Sequence, residues 1–143
     1  MDAFQPDIVL KTVENSAQSG SDLIILDQIH RILFKERGGN FAEQMTRLMV
    51  SLTEIAKSYS CHILALSQLN RESPREGRKP RLTDLKGSGC IEDNTSLAMF
   101  LGRELDSKEA ILSILKARSG RSGWSIPMVF NPKQLTFAEQ YNL

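Results

Sequence analysis

Two short apolar runs of similar form mark the first half of the chain. Leu23-Ile24-Ile25-Leu26 is closed by Asp27, and Cys61-His62-Ile63-Leu64-Ala65-Leu66 gives way to Ser67-Gln68-Leu69-Asn70-Arg71. The first run does not alternate apolar with polar positions, so residues 22–27 read as a strand buried on both faces, as in the middle of a parallel sheet. Residues 62–67 read as a second buried strand. Between them Phe41, Met45, Leu48, Met49, Leu52, Ile55, Ala56 and Tyr59 recur at helical spacing, with Glu43, Arg47, Glu54 and Lys57 off that stripe. A helix there supplies the right-handed crossover between parallel strands. Ligands of such units gather beyond the carboxyl ends of the strands, so Asp27 and Gln68 are expected to share one rim.

The flanking pattern extends this layout. Residues 7–18 have helical spacing behind the start signal Pro6-Asp7, and Ser19-Gly20-Ser21 ends that helix. The polar, glycine-bearing stretch 34–40 reads as a mobile loop. An exposed basic loop is expected between Asn70 and Pro80, with Arg71, Arg75, Arg78 and Lys79. Residues 81–86 read as a short helical turn broken by Gly87-Ser88-Gly89, and 97–101 as a third buried strand. Residues 110–117, 125–131 and 134–137 are strand-like and closely spaced, which predicts an antiparallel extension. The expected fold class is α/β, with a mainly parallel sheet and an antiparallel C-terminal extension.

Length and charge narrow this only a little. A chain of 143 residues reads as a single domain, 1–143. With 18 basic and 17 acidic residues the net charge is +1, so a nucleic-acid surface has to come from local clustering. Cys61 and Cys90 lack CxxC spacing, and a small buried thiol in a reducing cytosol fits Cys61. No leader pattern and no run of membrane-spanning length occurs, so the expectation is a cytoplasmic protein without a membrane partner.

Candidate chemistry begins with Asp27. A carboxylate just past an apolar strand is where nucleoside triphosphatases hold the water shell of Mg²⁺, and a plain turn cap has equal weight on this residue alone. Gln68 both donates and accepts, which suits detection of a phosphate or an ordered water, although taken alone an ordinary polar strand end accounts for it far better. Lys116 and Arg118 lie two apart on an expected strand and so share a face. At a subunit boundary they would reach a neighbour's γ-phosphate; taken alone, a solvated edge strand accounts for them better. Lys86-Gly87-Ser88-Gly89 offers unhindered N–H groups and a cation to the phosphates of a single strand, though flexible glycine turns are common. Trp124 and Phe100 are expected in the core, and His30 and His62 read as structural or surface residues without metal-ligand spacing.

Taken together, these residues resemble the C-terminal, RecA-like motor domain of DnaB-type replicative DNA helicases, from about Ser21 to Phe137. The resemblance rests on four motifs in order. They are Leu23-Ile24-Ile25-Leu26-Asp27 as the Walker B strand, Ala65-Leu66-Ser67-Gln68-Leu69-Asn70-Arg71 as a helicase motif, Asp84-Leu85-Lys86 with Ser88-Gly89-Cys90-Ile91-Glu92 as a DNA-facing loop, and Lys116-Ala117-Arg118-Ser119-Gly120 as a finger hairpin. It implies a partial RecA-like P-loop NTPase fold with ATP and Mg²⁺ as cofactors. In that scheme Asp27 positions Mg²⁺ through water, and Gln68 couples the γ-phosphate to the DNA loops. Arg103 lies near the nucleotide, and Lys86, Gly87 and Gly89 lie along single-stranded DNA. Lys116 and Arg118 act in trans within a ring of six.

The chain also departs from that pattern. No G-x-x-x-x-G-K-[ST] occurs, and the upstream strand with the family's catalytic glutamate is missing. Asn94 and Ser96 stand where acidic residues are usual, and Gly102 where an aromatic is common. The sequence therefore resembles the second half of a motor domain, a helicase fragment inactive by itself that self-associates or pairs with a P-loop-containing half. The alternative is a non-catalytic RecA-like module that binds DNA or a partner and regulates a helicase. A recombinase of the RecA or RadA kind fits the Ser-Gln-Leu-Asn-Arg run less well.

Overall fold

The computed structural model describes residues 5–32, 40–69, 81–85 and 88–140. Several sequence expectations lie outside the described residues. They are the loop at 34–39, Asn70 and Arg71 of the polar run, the basic loop with Arg71, Arg75, Arg78 and Lys79, and Lys86 and Gly87. The chain divides into two compact units, Met1–Ser73 with Thr83–Asn94, and Pro74–Leu82 with Thr95–Leu143.

The first unit is built on a parallel pair of strands. Helix α1 (Pro6–Gln18) leads into β1 (Leu23–Leu26), and α2 (Phe41–Ser58) crosses over to β2 (His62–Ala65). The strands pair in parallel from Leu23↔His62 to Leu26↔Ala65, so both chains leave the sheet at the same end. The α2 stripe forms the core, with Met45, Leu48, Met49 and Leu52 buried beside Val13 and Ala17 of α1. Asn40 caps α2 by accepting the Glu43 N–H at 3.0 Å, which satisfies one of the donors a helix start leaves open.

Both long helices end in the same hydrogen-bonded turn. In α1 the Ser21 N–H donates to the Ser16 carbonyl and Gly20 N–H to Ala17, with Gly20 at φ +87°. In α2 the Cys61 N–H donates to Ala56 and Ser60 N–H to Lys57, with Ser60 at φ 52°. Such a stop needs a left-handed residue, which glycine adopts freely and serine adopts at a cost.

Two expectations are corrected in this unit. The short helical turn expected over 81–86 is present as a 3-10 turn, Leu82–Asp84, but the stretch from Ser88 on, expected only to break it, opens a seven-residue helix, α3 (Ser88–Asn94). It forms because Ile91 is buried and the Thr53 hydroxyl of α2 donates to the Asn94 carbonyl at 3.3 Å, so packing overrides a weak local preference. The first strand is not buried on both faces, since Ile25 is 59% exposed, together with exposed Leu23, Leu64 and Leu66. Among the described residues, nothing packs over that side of the pair closely enough to bury it.

The second unit is a four-stranded antiparallel sheet in the order β3 (Leu97–Arg103), β4 (Glu109–Ala117), β5 (Trp124–Asn131) and β6 (Thr136–Glu139). Residues 97–101 therefore pair in this antiparallel sheet, and Leu97, Met99 and Leu101 are exposed where burial was expected. Trp124 is likewise 42% exposed, because the sheet face it shares with Leu97 and Ile114 is left open as a groove of about 530 Å³. Phe100 is half-buried, its ring lying against Gly102, where a Cβ would meet it at 2.8 Å. No described helix is long and apolar enough to cross a membrane.

Replacing Ser60 with glycine should relieve the left-handed turn at the end of α2. The expected gain is about 0.5–1 kcal/mol, a rise in Tm of about 2–4 °C by thermal melting, whereas the same change at Ser19, where φ is −77°, should give none.

Candidate functional site

The site is assembled where β1 and β2 end. Beyond the last paired residues the ladder continues for one more step. The Leu66 N–H donates to the Leu26 carbonyl at 2.9 Å, and the Leu66 carbonyl accepts the Ile29 N–H at 3.1 Å. Ile29 opens a single 3-10 turn (Ile29–Arg31) and is 1% exposed, so the loop after Asp27 is anchored by a buried side chain as well as by backbone bonds. Asp27 and Gln68 follow those anchors on the same rim, and both are exposed. The Asp27–Gln28 peptide bond is cis.

His30 joins the two loops. Its Nδ1 accepts the backbone N–H of Gln68 at 3.2 Å, which puts the proton of the neutral ring on Nε2. The ring also stacks on Phe41, the first residue of α2, with centroids 5.9 Å apart and planes 8° from parallel. Ser67, immediately before Gln68, has a buried hydroxyl oxygen with no hydrogen-bond partner among the described residues. Leu69 then forms an antiparallel bridge with Leu85, the residue that precedes Lys86 in sequence.

The remaining candidates lie in other surroundings. Gly89 sits in the first turn of α3, in open space. In the second unit, a bulge places one extra residue of β4, Leu115, between the pairs Ala98↔Lys116 and Met99↔Ile114. Lys116 thereby faces the side opposite Ile114. One backbone bond continues past β4, the Arg118 N–H donating to the Ser96 carbonyl at 2.8 Å, and Arg118 itself lies in the turn that follows the strand. Arg103 has local work at the β3–β4 turn, donating through Nη1 to the carbonyls of Ser107 at 2.7 Å and Glu104 at 3.3 Å. Its guanidinium carbon stands 4.6 Å from the centre of the Phe130 ring. Asn94 uses its amide to donate to the Cys90 carbonyl at 2.9 Å, closing α3.

The donor set limits what the rim can hold. No group of three His, Cys, Asp or Glu side chains capable of chelating a metal occurs among the described residues. One exposed carboxylate at a strand end suits Mg²⁺, which binds proteins through one or two carboxylates and takes its other ligands from water and phosphate. The structure thus brings Asp27 and Gln68 together and adds His30, which the sequence reading set aside. The available signal was its position, three residues beyond a strand-ending acid, since spacing rules for metals say nothing about it.

Known proteins resemble the chain along nearly its whole length. The model of the family described as DnaB-like helicase C terminal domain matches residues 5–139. Replicative DNA helicase DnaB of Treponema pallidum (strain Nichols) is 34% identical over 106 residues, covering 74% of this chain and 24% of the relative. The Geobacillus stearothermophilus protein of the same name is 28% identical over 145 residues, covering 95% of this chain and 30% of the relative. The chain therefore spans about a quarter to a third of the length of these relatives. Among solved structures, an ATPase domain superposes with a TM-score of 0.81 at 20% identity, covering 96% of this chain and 52% of that one. A DnaB-like replicative helicase, described with its interactions with primase, gives 0.76 at 21% identity, covering 90% of this chain and 34% of that one. The RadB recombinase gives 0.65 at 16% identity, covering 91% and 57%.

The contacts predict opposite outcomes for two exposed charges. Asp27→Ala should leave stability within about 0.5 kcal/mol, because its carboxylate has no partner among the described residues, whereas Arg103→Ala should cost about 1 kcal/mol by opening the β3–β4 turn. Thermal melts of the two variants check this.

Proposed function

The chain belongs to the DnaB-like helicase C-terminal domain family, and on that premise we propose that it supplies part of an ATP-driven DNA-unwinding motor. In this reading residues 1–143 act as one incomplete motor domain that turns over ATP only within an assembly. Asp27 is its magnesium-positioning acid and Gln68 its sensor of the terminal phosphate. Lys86, Gly87 and Gly89 line single-stranded DNA, Lys116 and Arg118 reach the ATP held by a neighbouring copy, and Arg103 stands near the nucleotide. The observation that supports it most directly is the common rim of Asp27 and Gln68 at the end of a parallel strand pair, held by both Leu66 hydrogen bonds.

Magnesium, when bound with nucleotide, supplies charge neutralisation at the β- and γ-phosphates. The chain's own groups then have defined tasks. An acid hydrogen-bonds water of the ion's shell, an amide senses an oxygen, and two cations stabilise charge that develops on the transferred phosphoryl. The sequence has no G-x-x-x-x-G-K-[ST] loop to cradle the β- and γ-phosphates, so a P-loop-containing half completes the site. Self-association then brings Lys116 and Arg118 to a second nucleotide.

The second reading, a non-catalytic RecA-like module, draws on the local use of residues that depart from the family pattern. Asn94 closes α3 with its own amide, and the space beside Gly102 is filled by the Phe100 ring. That reading expects DNA binding without turnover in any assembly.

The purified chain should show no DNA-stimulated ATP hydrolysis in Mg²⁺, and mixing with a P-loop half from a homologous motor should create it. In that assembly Arg118→Ala should lower turnover by about 10³-fold or more while leaving the melting curve unchanged. Turnover by the isolated chain, or none in any assembly, would refute the motor reading.

A further inference from the structure

Resting on the motor reading, we propose that His30 is a positioning residue that fixes Gln68 against the Asp27 loop and, through the Leu69–Leu85 bridge, links the nucleotide rim to the segment before Lys86. The geometry is a short series of contacts. Two residues past Asp27 stands Ile29, whose buried side chain and N–H bond to the Leu66 carbonyl immobilise the turn that presents His30. The imidazole Nδ1 takes the Gln68 N–H at 3.2 Å, and the next residue, Leu69, bridges Leu85. Leu85 is 8% exposed, so that end of the series is packed in the core.

A backbone amide at the exposed end of a strand would otherwise bond water, which imposes no direction. An imidazole acceptor does impose one, because its lone pair lies in the ring plane and the ring is held against Phe41 at the start of α2. Displacement of Gln68 by a bound phosphate would therefore have to move His30, break its bond, or shift Leu69 and its partner. Ser67, whose buried hydroxyl has no partner among the described residues, lies in the same short segment.

Amide exchange on the ¹⁵N-labelled full chain tests the link without nucleotide. His30→Ala should speed exchange at Gln68 by about fivefold relative to Leu66, and His30→Asn, whose carbonyl oxygen can replace Nδ1 as acceptor, should restore it. In the unaltered protein, a long-range ¹H–¹⁵N spectrum should place the imidazole proton on Nε2, a readout that does not depend on any variant folding. An Nδ1-protonated ring, or Gln68 exchange unchanged by His30→Ala in a folded protein, would overturn the proposal. In an assembly that hydrolyses ATP, His30→Ala should lose most of the stimulation by single-stranded DNA with KM for ATP unchanged within about twofold, and His30→Asn should regain it. Full stimulation in the alanine variant would also overturn it. If no assembly turns over ATP, the motor reading fails, while the exchange and tautomer results still decide whether His30 holds Gln68.

Discussion

The peptide of Leu66 is bonded on both sides, its N–H to the Leu26 carbonyl and its carbonyl to the Ile29 N–H. Without those two bonds the strands would still pair, but the loops beyond them would be free to separate. A two-stranded sheet is marginal alone, so the pair also depends on the helices flanking it, with Leu48 fully buried and Ile29 nearly so. Backbone direction then decides what the rim contains. Because β1 and β2 are parallel, the acid that ends one and the amide that follows the other emerge together, whereas an antiparallel pair would have placed them at opposite ends.

The first unit also shows how an apolar pattern can describe surroundings that a chain does not itself provide. Leu23, Ile25, Leu64 and Leu66 form a continuous exposed row. Uninterrupted hydrophobicity of this kind belongs to strands covered on two sides, and the fold neighbours place strands like these within chains two to three times as long, of which this one covers 52% and 34%. A surface of that composition favours association.

Legibility from sequence followed the strength of the periodic signal. The α2 stripe spans eighteen residues, and its bounds were readable to within a residue or so. Asp27 and Gln68 are legible as rim residues because each lies just past an apolar run. By contrast α3 is only seven residues long, begins beside glycines, and is held by Ile91 and a bond from Thr53, none of which leaves a local pattern. The aromatic character of Trp124 points to the core, yet it stands in an open groove with its indole N–H donated to the Arg121 carbonyl at 2.8 Å. His30 leaves no periodic signal in the sequence because its partner is a backbone amide thirty-eight positions away, a relation that exists only once the strands are in register.

The extra residue in β4 has an effect that outlasts its local kink. By shifting the side-chain phase at Leu115, it assigns Ile114 and Ala117 to one surface of the sheet and Lys116 to the other. Two requirements on a single strand are thereby uncoupled. Selection can change the oily groove around Trp124 without disturbing Lys116, and can retune that cation without a mutation reaching the groove. Such a hinge in phase lets neighbouring positions evolve at different tempos.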